Sequence, residues 1–204
     1  MKKHISDTMD KREIKLFNQA LLTYPYSDDF ETARNILICR IILFGGILPS
    51  ELVDLKHNNI SKTNDKMILH IDGTGTKKRD IELPMCQISD YLDLYLGSKG
   101  VNENGYLFCA ATDKEKKMNV NFVNVVVKKM LNHAKISKKE LTPKLLRTTF
   151  AVYLHNNPNP KTNRAVPLKV IQALLGHSNI QHTKDLLGYE IAENMSYSDI
   201  FKEF

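Results

Sequence analysis

Positive side chains gathered in short runs are the first feature able to do chemistry. Lys77-Lys78-Arg79, Lys116-Lys117, Lys128-Lys129 and Lys138-Lys139 each set adjacent cations along the chain. Such groups can neutralise phosphate oxygens. Lysine, a mobile point charge, lacks the bidentate fork with which arginine reads a base edge. The competing reading of each pair is a solvated surface. Cys39, Cys86 and Cys109 show no paired spacing and sit among apolar neighbours in sequence. They read as reduced thiols, not as a zinc site or a disulfide frame. His177 and His182 stand five residues apart, a spacing that does not bring two ligands onto one helix face, so no metal centre and no cofactor are expected.

The whole chain agrees with the basic runs. With 29 Lys and Arg against 23 Asp and Glu, the net charge is +6 and the pI about 9.1. That balance favours a polyanionic partner, usually nucleic acid. A length of 204 residues supports one domain with a core that needs no staples. The longest apolar run, Ile36 to Phe44, is interrupted by Arg40 and falls short of the roughly 20 residues of a membrane helix. Met1 to Asp7 lacks the apolar centre of a secretion signal. A cytoplasmic protein without a membrane partner is the expectation.

Hydrophobic periodicity supplies the elements that would position these groups. Ile14, Phe17, Leu21 and Leu22 predict a helix over Asp10 to Leu22. Asp28 or Asp29 caps a second helix running to about Phe44, too apolar for a surface and therefore central, and Gly45-Gly46 stops it. Pro49 opens a short third helix. Met67 to Ile71 and Asp80 to Leu83 alternate as strands around the turn Gly73-Thr74-Gly75-Thr76. Pro84 is predicted to start a helix through Tyr95, and Tyr106 to Phe108 to form a short buried strand or extended segment. Further helices are predicted over Asn119 to Ala134, from Thr142-Pro143 to about Leu154, over Pro167 to Leu175 and over Ile180 to Leu187. Gly176 and Gly188 close the last two. His155 to Val166 (HNNPNPKTNRAV) reads as an irregular loop. The fold class is mostly α with a small antiparallel β-sheet (α+β), one domain over 1–204 with a C-terminal tail at 190–204.

Three segments carry a family pattern in this order: Ala33 to Asn59 (ARNILICRIILFGGILPSELVDLKHNN), Ile71 to Leu83 (IDGTGTKKRDIEL), and Leu141 to Tyr189, where LTPKLLRTTFAVYL precedes VIQALLGHSNIQHT. Together they resemble the catalytic domain of tyrosine recombinases of the phage integrase type, most like the bacterial Xer group. The resemblance runs from about residue 6 to 204, and no segment resembles that family's N-terminal DNA-clamping domain. It implies chemistry at a DNA phosphodiester: arginines and histidines hold the nonbridging oxygens, a lysine protonates the leaving 5′ oxygen, and a tyrosine forms the covalent link. Carried onto this chain, two of those six positions match, Arg147 and His177. Leu48 stands for the first arginine, Thr74 for the hairpin lysine, Lys144 for the first histidine and Leu186 for the tyrosine. The nearest tyrosine, Tyr189, comes three residues later.

The resulting expectation is a catalytically inactive recombinase-like protein that binds duplex DNA and modulates recombination or integration. Lys77, Lys78, Arg79, Lys144, Arg147 and His177 are the candidate DNA contacts. Two rivals stand beside it: an active recombinase with Tyr189 as nucleophile, with Lys77 and Lys144 standing in for lost groups, and a protein-interaction module or remnant without a DNA role. Arg147 reads either as a phosphate clamp or as a buried ion pair with Glu51. His177 reads either as a phosphate ligand or as a histidine closing a helix end. Thr148-Thr149 reads as polar surface or as local backbone satisfaction. The tail, with Ile191, Met195, Ile200, Phe201 and Phe204, docks either on its own domain or on a partner, an active recombinase or a second copy of this chain.

Overall fold

Asp10 ends the N-terminal approach by capping helix α1 (Lys11–Thr23). Its carboxylate accepts from Glu13 N at 2.8 Å, and Glu13 Oε2 accepts from Asp10 N at 2.9 Å, so two helix-end donors are satisfied reciprocally. Of the two aspartates able to cap α2 (Asp29–Gly45), Asp28 does so, accepting from Glu31 N. These two helices and the rest of the chain are seen in a computed structural model that describes residues 8–63, 65–73, 76–99, 105–110, 113, 115–159 and 162–188.

Helix α2 is central. Ile36 to Leu43 are buried without interruption, Arg40 included, because α2 is packed on several sides, by α4 (Met85–Lys99), α5 (Val120–His133) and α6 (Pro143–Asn156) among others. Between them lie the short α3 (Pro49–Asp54), a 3₁₀ turn at His57–Asn59, and strands β1 (Ile60–Lys62), β2 (Lys66–Ile71) and β3 (Arg79–Pro84). The strands form one antiparallel sheet in the order β1-β2-β3. Met67 pairs with Leu83 and Leu69 with Ile81; these four and Ile71 face the core, while His70, Asp80 and Glu82 occupy the opposite face. Helices α7 (Leu168–Leu175) and α8 (Ile180–Leu187) pack on α6 around a second, smaller core of Ala151, Ile171, Leu175 and Leu187.

The expected mixture of helices and a small antiparallel sheet is present. Three local differences from the sequence reading appear. Pro84 ends β3 opposite Lys66 instead of starting α4, a place where a residue without an N–H is tolerated because β3 is an edge strand. Helix α4 passes through Gly97 to Lys99, since that glycine faces open space. β1 went unread. Of the two readings of Tyr106 to Phe108 the extended segment holds: Leu107 and Phe108 are buried and Tyr106 forms a single bridge to Lys56. The cysteines also divide: Cys39 is in the core, whereas Cys86 is exposed and Cys109 half-buried. Among the described residues no helix is long and apolar enough to cross a membrane. Met9, 4% exposed, donates its backbone N–H to Thr149 Oγ1 at 3.0 Å, tying the N-terminal approach to α6; Thr149 is therefore neither surface nor locally bonded.

Gly46 closes α2 with φ 61°, and a Cβ there would lie 2.2 Å from Phe150 Cδ1. Gly46→Ala is expected to lose about 2–5 kcal/mol, the sum of left-handed backbone strain and overpacking. Urea unfolding measures it, and a loss below about 1 kcal/mol would contradict the packing described.

Candidate functional site

The C-terminus of α7 organises the site. Gly176 turns the chain with φ 69°. A Cβ at Gly176 would meet Arg79 Nη1 at 2.7 Å and Thr76 Cβ at 2.9 Å. The last carbonyls of a helix lack intrahelical donors, and here three separate segments supply them. Arg79 Nε donates to Leu174 O at 2.7 Å, Arg147 Nη2 to Leu175 O at 2.7 Å, and Lys77 N to Gly176 O at 3.2 Å.

Arg79 also donates from both terminal nitrogens to Glu51, at 2.7 and 2.9 Å. Glu51 further accepts from Thr76 Oγ1 at 2.5 Å and from Leu48 N at 2.7 Å. The two side chains are 6% and 1% exposed. Burial pushes the Glu51 carboxyl up, but the bonds from Arg79, Leu48 and Thr76 outweigh it and hold the carboxyl below its ordinary value.

Arg147, on α6, donates to Gly46 O, to Leu175 O and, at 3.2 Å, to His177 Nε2. A guanidinium only donates, so Nε2 accepts and the ring proton sits on Nδ1, 2.9 Å from Thr183 Oγ1. Gln172 holds the His177 backbone from both sides, accepting from its N–H at 3.1 Å and donating to its carbonyl at 3.1 Å. Burial, then the charge of Arg147 and the neighbouring His182 and Arg79, bring His177 down to about 4. Burial lowers Arg147 to about 10, with Glu51 opposing and Arg79 adding to the fall. At neutral pH the pair is therefore one cation beside one neutral imidazole. Three of arginine's five donors are engaged by the described residues.

The remaining sequence-predicted residues fall as follows. Lys144 is exposed in the first turn of α6. Lys77 and Lys78 are exposed, Lys78 lying 3.8 Å from Asp72. Arg79 turns inward, its guanidinium committed to Glu51 and to Leu174 O. It is Arg79, not Arg147, that pairs with Glu51. Leu48 is half-buried just ahead of α3 and meets the site through its backbone N–H, which donates to Glu51. Leu186 is half-buried against the small core of α6, α7 and α8. Arg40, on α2, is held elsewhere, donating to Gln87 O at 2.7 Å beneath the Tyr91 ring. Thr74, Tyr189 and the tail at 190–204 lie outside the described residues. His177 and His182 meet edge-on at 5.9 Å; among the described residues no group of three or more His, Cys, Asp or Glu could hold a metal ion. Sequence reasoning missed Thr76, Gln172 and Thr183. It also missed the inward turn of Arg79, which has the same strand parity as buried Ile81 and Leu83.

Residues 7–186 match the family described as the phage integrase family. Over 180 residues the chain is 28% identical to tyrosine recombinase XerH of Campylobacter jejuni, covering 88% of this chain and 48% of that protein. It is 33% identical over 154 residues to tyrosine recombinase XerC of Caldanaerobacter subterraneus, covering 74% and 40%. Among solved structures, the XerH post-cleavage complex with palindromic difH substrate has a TM-score of 0.76 at 23% identity, covering 90% of this chain and 50% of that one. XerA recombinase gives 0.67 at 20%, covering 96% and 63%. These structural likenesses bear on the fold. The chain spans about half the length of the curated relatives it matches.

Two outcomes follow from the geometry. Because folded Glu51 holds its proton less tightly than the unfolded chain, its contribution is present above the ordinary carboxylate value and fades as pH falls through the lowered one. Glu51→Gln should cost roughly 3–5 kcal/mol near neutral pH, the loss for stripping one partner from a buried pair. That deficit should narrow in melts below pH 4.5; an equal deficit at both ends of the range would disprove the assignment. In NMR, the His177 ring should titrate near pH 4 and carry its neutral-pH proton on Nδ1. A midpoint near 6.5 would mean that neither the burial of the ring nor its contact with Arg147 holds in solution.

Proposed function

Since the chain belongs to the phage integrase family of tyrosine recombinases, we propose that it serves site-specific DNA recombination as a duplex-binding domain that grips phosphates without cutting them. The observation that carries this reading is Leu186. At the position that resembles the nucleophile's, α8 presents an aliphatic side chain seated against the Ala151, Ile171 and Leu175 core. No activation of neighbouring groups turns a leucine into a nucleophile. Leu48, where the first arginine is expected, likewise has no donor to offer a charged oxygen beyond its backbone N–H, which Glu51 occupies.

Binding would rest on the cations that remain. Lys144, Lys77 and Lys78 are exposed and can neutralise phosphates from solvent, with Arg147 and His177 behind them. Phosphate contacts give affinity and registration but little sequence information. A XerH relative was solved bound to difH substrate, which supports duplex DNA as the partner class. A second reading is favoured by the similarity to recombinases: an active strand transferase that uses Tyr189.

One experiment separates the readings. On labelled duplexes with a nicked suicide site, binding should weaken with salt at a slope of about −0.9 per phosphate contact, and no covalent adduct should form. Lys144→Ala should lower that slope by about one contact across all sequences. An adduct that vanishes in Tyr189→Phe would establish the active enzyme instead. Salt-insensitive or absent binding would favour an interaction module or remnant.

A further inference from the structure

The solvent face of the sheet carries a second constellation, unconnected with phosphate binding. Ser61 on β1, His70 on β2 and Asp80 on β3 share one face across the three strands. His70 and Asp80 are directly opposed in the register, and Ser61 pairs with Ile68, one step along the same face from His70. Ser61 Oγ lies 2.9 Å from His70 Nε2, and His70 Nδ1 lies 2.8 Å from Asp80 Oδ1. A carboxylate on Nδ1 fixes the imidazole proton there and leaves the Nε2 lone pair facing the serine hydroxyl. That division of labour between the two ring nitrogens is the one used to activate a serine, and it is recognised by geometry, not by chain order.

We propose that Ser61, His70 and Asp80 form a nucleophilic site that accepts an acyl group from activated esters. As the Ser61 Oγ–carbon bond forms, the hydroxyl proton passes to His70 Nε2. The ester C–O bond then breaks, and that proton leaves with the alkoxide. Water, deprotonated by His70, hydrolyses the acyl-serine and restores the site. Ser61 and Asp80 are exposed and His70 half-buried, so a donor reaches the hydroxyl directly from solution. An open site of this kind takes donors with good leaving groups. The inference does not rest on the DNA reading.

The test uses the full chain and an alkyl fluorophosphonate. Ser61 Oγ bonds to phosphorus, fluoride departs and His70 passes the proton to solvent. Peptide mass spectrometry should find the adduct on Ser61. Ser61→Ala should remove it, and His70→Gln should slow labelling about 100-fold, the low end for a positioned general base. Asp80→Asn should slow it as well. Turnover of p-nitrophenyl acetate should fall in the same order. All three side chains lie on the solvent face, so the variants should melt with the parent chain, and thermal melts run alongside would check that they fold. Absence of a Ser61 adduct, or a labelling rate unchanged in His70→Gln, would overturn the proposal.

Discussion

The exposed carbonyl end of α7 is the constraint around which the site is arranged. A helix C-terminus carries partial negative charge as well as unsatisfied acceptors, and in this chain it points inward. Two guanidiniums and one main-chain amide meet three successive carbonyls there. Each donor comes from a different place: β3, α6 and the turn between β2 and β3. Satisfying one helix end therefore fixes the relative position of the sheet, the arginine-bearing helix and the loop that carries His177. Glu51 becomes necessary in consequence, because drawing Arg79 into a dry interior requires a counter-charge held by several hydrogen bonds. Among the described residues Arg147 has no carboxylate in direct contact. It spends its donors on carbonyls and an imidazole.

Much of this architecture was legible in the sequence because the signals were local. Asp10, Asp28, Gly46, Gly176 and Gly188 mark helix ends through their own backbone chemistry. The period-two pattern of β2 and β3 set the buried face of the sheet. β1 escaped because three residues, one half-buried and two exposed, have no periodicity to detect. Pro84 misled because a proline suits a helix start and an edge-strand end equally well.

The site was legible as a set of residue types but not as a set of partnerships. Arg147 and His177 stood out by their surroundings in the chain, and they do meet. The choice of Arg79 over Arg147 as the partner of Glu51 depends on which cation the fold carries inward, and no spacing rule gives that. The parity of Arg79 with Ile81 and Leu83 was the one available clue, outweighed by its place in a run of cations. Thr183 is equally silent in sequence, since its role arises only when α8 folds back beside the turn after α7, and Gln172 acts through a bond to the His177 backbone that no pattern of residue types marks. Where the family pattern calls for charged or nucleophilic groups, Leu48 and Leu186 are half-buried aliphatic side chains, and Leu186 packs against the small core.

The hydrogen bond from Met9 to Thr149 has a mechanical meaning. Thr149 lies two residues beyond Arg147 on the same helix, and Met9 is buried against it. Tension applied at Met9 would therefore reach α6 directly, through that one bond. Because α6 also carries Arg147, a pull there would load the helix that supports the carbonyl-capping arrangement.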